Sequence, residues 1–131
     1  MVIDASAIIA IVAREADGAA LAARLGQAVE VRTSPIAIFE AVLGLARIGN
    51  IAIADAQAVV DRFVDEIGAQ IVPITDAIGR EALSAFDRFG KGRHAAQLNM
   101  GDCFAYACAR ACDAPLLFKG DDFPQTDIDV A

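Results

Sequence analysis

The sequence predicts an α/β fold built around a parallel sheet, and three observations lead to it. Short apolar runs recur along the chain, each bounded by turn residues, as expected for buried strands. Longer segments rich in Ala and Leu, with helical spacing of their apolar residues, lie between these runs. No internal repeat, low-complexity segment or interdomain linker interrupts this alternation. Because alternating strands and helices form parallel sheets, we expect one α/β domain over residues 1–131.

The predicted strands are short and mostly apolar. The first ends at Asp4, the second alternates apolar and charged residues, and the fourth is the apolar run before Lys119. They cover residues 1–3, 29–32, 70–74 and 115–118, with 128–130 as a candidate fifth strand.

The predicted helices have recognisable ends. Ser34 and Pro35 form a helix start, with Ser as the N-cap and Pro at the first position. This helix stops at Gly49 and Asn50, and a later one is capped by Thr75 or Asp76. The predicted helices cover residues 5–12, 15–27, 35–48, 53–67, 76–89 and 101–112.

The composition indicates a core of small aliphatic side chains. Hydrophobic residues make up 56% of the chain and aromatic residues 6%, and no apolar run is long enough to span a membrane. The first four residues have no basic stretch before an apolar one, so we expect no signal peptide and a cytoplasmic protein without membrane association. The odd number of cysteines argues against a disulfide framework, and without a nearby His they are expected to be buried apolar residues.

The net charge of −7 argues against a general nucleic-acid binder. One short stretch has the opposite sign, because Arg88, Lys91, Arg93 and His94 lie close together there. With Lys119, they are candidate contacts for the phosphates of RNA. Each of them, taken singly, is also explained as an ordinary solvated charge.

Four acidic residues occupy positions where a parallel sheet places its site. Asp4 ends the first strand, Asp121 follows the fourth, and Asp102 lies in the first turn of a helix. Glu40 is the only charge in the apolar helical stretch PIAIFEAVLGLA. Two carboxylates ~4 Å apart repel each other by about 4 kcal/mol at an effective dielectric constant of ~20. If the four acids converge, the cluster must take up protons or bind a cation, and oxygen ligands favour Mg²⁺ or Mn²⁺.

Each acid also has a structural explanation. Asp4 is a suitable cap for the following helix, Asp102 suits a helix N-terminus, and Asp121 suits a turn. Glu40 could pair with Arg47 or lie at an exposed edge. The functional interpretation rests on the presence of all four acids together.

Four segments match one known family in order and cover essentially the whole chain. They are MVIDASAI at 1–8, SPIAIFEAVLGL at 34–45, FGKGRHAAQLNMGDCFAYACA at 89–109 and PLLFKGDDFPQTDI at 115–128. In these segments the chain resembles the PIN-domain endoribonucleases, specifically the VapC-type toxins of toxin–antitoxin pairs. The resemblance implies a three-layer α/β/α fold with a central, mostly parallel sheet of four to five strands. It also implies metal-dependent hydrolysis of RNA phosphodiester bonds with Mg²⁺ or Mn²⁺.

The resemblance assigns the family's acids to Asp4, Glu40 and Asp102, and the fourth to Asp121 or Asp122. Asp121 is preferred because it comes first after the strand and turn. We expect Asp4 and Asp102 to be the direct metal ligands, with Glu40 and Asp121 holding metal-bound waters or a second ion.

The resemblance also implies accessory groups and partners. Ser6 matches a hydroxyl that the family often places beside the metal, although helix capping explains it equally well. A VapB-type antitoxin is the expected partner, with a homodimer, or a heterotetramer or larger assembly with the antitoxin.

Two other classes of protein remain as alternatives. A haloacid-dehalogenase-like phosphatase also begins with an Asp at a strand end, but it requires a second Asp where this chain has Ser6, and it leaves Glu40 unexplained. A phospho-receiver or a non-catalytic PIN-like binding module would be non-enzymatic. A receiver needs an Asp ending a central strand, and Asp76 after Thr75 is an imperfect match.

Overall fold

The computed structural model describes residues 1–131 and confirms the α/β class, with four strands, six helices and a short 3-10 helix at Phe123–Gln125. The strands are β1 (Val2–Ile3), β2 (Arg32–Thr33), β3 (Gln70–Ile71) and β4 (Leu116–Leu117). The helices are α1 (Ala5–Val12), α2 (Gly18–Leu25), α3 (Pro35–Gly49), α4 (Ile53–Glu66), α5 (Asp76–Phe89) and α6 (Met100–Ala111).

The strands form one parallel sheet in the order β3-β2-β1-β4. Val2 pairs with Arg32 on one side and with Leu116 on the other. The chain therefore proceeds outward from β1 through β2 to β3, and then returns to place β4 on the opposite side of β1. Since ligands of open parallel sheets bind where the strand order reverses, the expected site lies at the carboxyl ends of β1 and β4.

The two faces of the sheet are covered by different helices, which gives three layers. Successive strand residues point to opposite faces, so Ile3 and Leu117 join the core beneath α1, α3 and α4. Val2 and Leu116 join the second core, beneath α5 and α6. All four side chains are essentially inaccessible to solvent.

Several helix ends follow the residues that predicted them. The Ser34 hydroxyl accepts a hydrogen bond of 3.1 Å from the Ala37 N–H, with Pro35 at the first position of α3. Asn50 ends that helix in the left-handed region, with φ of 48°. Thr75, rather than Asp76, caps α5, because its hydroxyl accepts from the Ile78 N–H at 3.2 Å.

Other boundaries differ from the sequence prediction. The second strand begins at Arg32 rather than at residue 29, because Val29 is fully exposed and only Val31 onward enters the core. The second helix begins at Gly18, after a turn in which Arg14 adopts a φ of 54°. The candidate fifth strand is reduced to one parallel bridge between Val130 and Leu116. No helix has the length and apolar character needed to cross a bilayer.

Candidate active site

Asp4 lies at the carboxyl end of β1 and is 4% exposed. Its backbone N–H donates to the Leu117 carbonyl at 2.9 Å, which fixes it against β4. Its side-chain Oδ2 accepts from the Ser6 N–H at 3.1 Å and from the Ser6 hydroxyl at 2.6 Å. The Ser6 Oγ in turn accepts from the Lys119 N–H at 3.0 Å, so Ser6 links Asp4 to the turn after β4.

Asp102 occupies the third position of α6 and forms a capping box with Asn99. The Asn99 N–H donates to Asp102 Oδ2 at 3.0 Å, and the Asp102 N–H donates to Asn99 Oδ1 at 2.9 Å. This reciprocal pair satisfies two backbone donors at the start of the helix and holds the Asp102 carboxylate in one orientation.

The capping roles considered for Asp4 and Asp102 are therefore real, but they leave room for a second role. In the side-chain hydrogen bonds just described, both carboxylates accept through Oδ2. Oδ1 of each residue receives none of them. Because a carboxylate can use its two oxygens separately, these bonds orient each acid through Oδ2 without occupying Oδ1.

Glu40 projects from α3 and packs its carboxylate against the N-terminal turn of α6. A Cβ atom added to Gly101 would overlap both carboxylate oxygens of Glu40, so this close approach depends on glycine. Glu40 forms no ion pair with Arg47 or with any other cation. Its half-buried position also excludes the exposed-edge explanation.

The electrostatics of the three acids are coupled. Burial, followed by the charges of Asp4 and Asp102, raises the pKa of Glu40 from 4.5 to about 7. Burial is also the main cause that raises the pKa of Asp102 from 3.8 to about 6, opposed by its backbone hydrogen bond and assisted by Asp4 and Asp122. Burial raises the pKa of Asp4, although its hydrogen bonds with Ser6 and the Ala5 backbone act in the opposite direction. No cation offsets this repulsion.

The acids line a pocket of about 440 Å³ between α1, α3 and the start of α6. Its other walls are polar groups of Ser6 and Asn99 and the apolar side chains of Ile9 and Leu43, with Gly44 and Arg47 at α3. A smaller groove of about 170 Å³ lies between α5 and α6, and no carboxylate lines it. The acidic pocket at the sheet edge is therefore the candidate active site.

The donor set of this pocket fits a small, hard divalent cation. No three side chains among His, Cys, Asp and Glu converge closely enough to hold an ion alone. Mg²⁺ does not require such a cage, because it usually keeps several waters and binds through one or two carboxylates together with substrate phosphate. Asp4 and Asp102 each present one oxygen free of the capping bonds, so they fit as that carboxylate pair.

Asp121 and Asp122 lie in the exposed turn after β4 and do not line the pocket. The charge of Asp122 contributes to the raised pKa of Asp102, whereas Asp121 has no such effect. The Asp121 carbonyl instead accepts from the Gln125 side chain at 3.2 Å.

Most of the predicted RNA-binding cations have acidic partners. Arg88 pairs with Asp127 at 2.6 Å, and Arg93 pairs with Asp87 at 3.2 Å. The Lys119 ammonium contacts Glu15 and lies 3.7 Å from Asp17, in the loop between α1 and α2. Lys91 and His94 have no acidic partner, and His94 Nδ1 instead accepts from the Ala96 N–H at 3.1 Å. None of the five residues lines the acidic pocket, so their role in RNA binding stays a prediction.

Three residues of the site were not singled out from the sequence. Asn99 was detectable, since Asn followed three residues later by Asp at a helix start is typical of a capping box. Gly101 belongs to a segment that carries the family resemblance, but no local signal predicts its contact with Glu40, because that contact joins two distant helices. Arg47 was considered only as a partner of Glu40, whereas the structure places it in the pocket wall without an ion pair.

The fold and the pocket define an α/β protein with an acidic site at the switch point of its parallel sheet. The PIN domain profile matches residues 1–129 of this chain. A VapC ribonuclease of Rhizobium meliloti is 40% identical, and the match covers 96% of this chain and 97% of that protein. Ribonuclease VapC36 of Mycobacterium tuberculosis is 38% identical over 98% of this chain and 91% of its own length. Ribonuclease VapC28 of the same organism is also 38% identical, over 100% of this chain and 97% of its own. The chain belongs to the PIN-domain family and, within it, to the VapC group.

Proposed function

We propose that this protein is the endoribonuclease toxin of a VapBC pair and that it hydrolyses RNA phosphodiester bonds with Mg²⁺ or Mn²⁺. The main support for the proposal is that three carboxylates line one pocket. Their pKa values are raised, and no cation neutralises them. Membership of the VapC group supports the choice of RNA as substrate. The expected compartment is the cytoplasm, where RNA is accessible.

The pocket residues divide the work between them. Asp4 and Asp102 would hold the ion, and the hydrogen bonds that their Oδ2 atoms accept keep both carboxylates in place. When bound, the ion lowers the pKa of a coordinated water and neutralises charge on the phosphate. Glu40, which lines the pocket and has no cationic partner, would orient the attacking water and take up its proton on a carboxylate oxygen. Ser6 positions Asp4.

Asp121 and Asp122, in the turn after β4, would hold waters that are bound to the ion. We infer that Asp122 is the more important of the two, because its charge acts on Asp102. Comparing RNA cleavage by Asp122→Asn and Asp121→Asn tests this choice. A larger loss in Asp121→Asn would restore the assignment preferred from the sequence.

The proposed partner is a VapB-type antitoxin, and the proposed assembly is a homodimer that forms a heterotetramer or larger complex with it. Light scattering of the isolated protein and of the copurified pair measures both states. A monomer that neither dimerises nor is inhibited by the antitoxin would contradict this part of the proposal.

RNA cleavage by purified, antitoxin-free protein tests the central proposal. The assay compares Mg²⁺, Mn²⁺ and EDTA for the native chain, Asp4→Asn and Glu40→Gln. Asp61→Asn, an exposed acid on α4 away from the pocket, serves as the matched control. We expect metal-dependent cleavage in the native and control proteins and a loss of at least about 10²-fold in both pocket variants.

The same assay separates the alternatives. Cleavage that persists in EDTA would refute the metal mechanism. Folded protein that binds RNA and metal but cuts no RNA would favour a non-catalytic PIN-like binding module. Loss in Asp4→Asn alone would keep the nuclease and return Glu40 to a structural role.

A further inference from the structure

Arg47 is the one cation in the wall of the acidic pocket. It lies in the last turn of α3 and lines the same cavity as Asp4, Glu40 and Asp102. Arg47 is exposed, and its side chain forms no ion pair. It is also absent from the groups that act on the pKa of Glu40, so it does not serve as that residue's counter-ion.

Arg47 and Glu40 lie on the same side of α3, because residues seven positions apart are two helical turns apart. The rise between them is about 10 Å along the axis. Leu43 and Gly44 form the wall between the two, and a Cβ on Gly44 would come within 2.5 Å of Ile9 Cδ1. The pocket is thus acidic at one end and cationic at the other, with Leu43 and Gly44 between the two ends.

The other cations of the chain do not offer this arrangement. Six of the eleven lysines and arginines form ion pairs with acids. Those without an ion pair are Arg14, Arg24, Arg47, Lys91 and Arg110. Among these five, only Arg47 lines the acidic pocket. A substrate polyanion placed over the acids therefore has one unpaired arginine in the lining of the same cavity.

We propose that Arg47 binds a backbone phosphate of RNA adjacent to the one placed over the acids, and so positions the strand along α3. This inference rests on the proposed function, since it assigns a second phosphate subsite to the same pocket. A guanidinium suits the task because its planar array of donors matches phosphate oxygens in a bidentate manner. Arg47 thereby also provides an attractive contact for a polyanion that the acids alone would repel.

A purely structural explanation of Arg47 exists, and the experiment has to separate it. A cation in the last turn of a helix interacts favourably with the helix dipole. Arg24 provides the matched control, because it too lies in the last turn of its helix, α2, has no ion pair and does not line the acidic pocket. Neutralising either residue removes a dipole interaction, but only Arg47→Gln removes the proposed phosphate contact.

The measurement is the affinity for a short, labelled single-stranded RNA as a function of salt concentration. It uses Asp4→Asn as a non-cleaving background, combined with Arg47→Gln, Arg47→Lys or Arg24→Gln. We expect Arg47→Gln to weaken binding about tenfold, as for the loss of one charge-assisted hydrogen bond. The slope of log affinity against log salt should fall in magnitude by about 0.7, the change for one phosphate contact on a single strand. Arg47→Lys should keep the slope, and Arg24→Gln should change neither quantity.

Cleavage by the otherwise native protein distinguishes failure of this inference from failure of the proposed function. If the native chain cuts RNA and Arg47→Gln has the salt slope of the control, the phosphate subsite is refuted while the nuclease stands. If Arg47→Gln changes the slope but the native chain cuts nothing, the subsite stands and the nuclease is refuted. Weakened binding of the antitoxin without any change in RNA binding, or no RNA binding by the non-cleaving background, would also overturn the inference.

Discussion

Glu40→Gln should make the metal-free protein more stable while abolishing its activity. Glu40 is half-buried against Gly101 and faces two other carboxylates without a cation. Gln has nearly the shape of the protonated Glu side chain, so the substitution removes the charge with little change in packing. In the metal-free protein, the repulsion between the Glu40 carboxylate and the other two carboxylates destabilises the fold, although the same charges favour binding of a metal ion.

The magnitude follows from the shift in pKa. A rise from 4.5 to about 7 corresponds to about 3 kcal/mol at roughly 1.4 kcal/mol per unit. Solvent screening of a half-buried group reduces this to about 1–2 kcal/mol. Because the folded pKa lies above the ordinary value, stability decreases as the pH rises from 4.5 towards 7, and the whole penalty is present above that range.

The assay is urea unfolding of both proteins in EDTA, below pH 4.5 and again above pH 7. We expect equal free energies of unfolding at the lower pH and a more stable Glu40→Gln variant, by about 1–2 kcal/mol, at the higher pH. Adding Mg²⁺ at the higher pH should stabilise the native protein more than the variant. Equal stabilities at both pH values would refute the argument that the Glu40 charge is unfavourable in the fold.

The remaining predictions concern two glycines and one tyrosine. Gly101→Ala should lower cleavage about 10²-fold, because the new methyl group displaces the Glu40 carboxylate from its position. Gly79→Ala, on α5, is its control, because an added Cβ meets nothing within 4 Å. We expect this variant to keep its activity and its free energy of unfolding, measured by thermal unfolding, to rise by about 1 kcal/mol. Full activity in Gly101→Ala would contradict the close packing. Tyr106→Phe should lower the free energy of unfolding by about 1.5–3 kcal/mol, because the Tyr106 hydroxyl donates a hydrogen bond to Asp127 at 2.6 Å. An unchanged free energy of unfolding in urea would show that this hydrogen bond does not stabilise the fold.

Much of the fold follows from local sequence signals. The apolar runs form β1 and β4, and Ser34 caps α3, as local chemistry predicts. The strand boundaries were less accurate, because whether Val29 joins the sheet depends on solvent exposure rather than on its β-propensity. The alternation of Val2 and Ile3 between the two cores was implicit in the strand period, but the partner helices were not.

The sequence by itself determined the kinds of groups in the candidate site: Asp4 at a strand end, Asp102 at a helix start and Glu40 alone in an apolar helix. Only the tertiary structure decided how they are arranged. The contact between Glu40 and Gly101 and the coupling of the three pKa values join segments far apart in the chain. The physical reason is that capping and periodicity act over a few residues, whereas burial and Coulomb repulsion act between whatever residues the fold brings together.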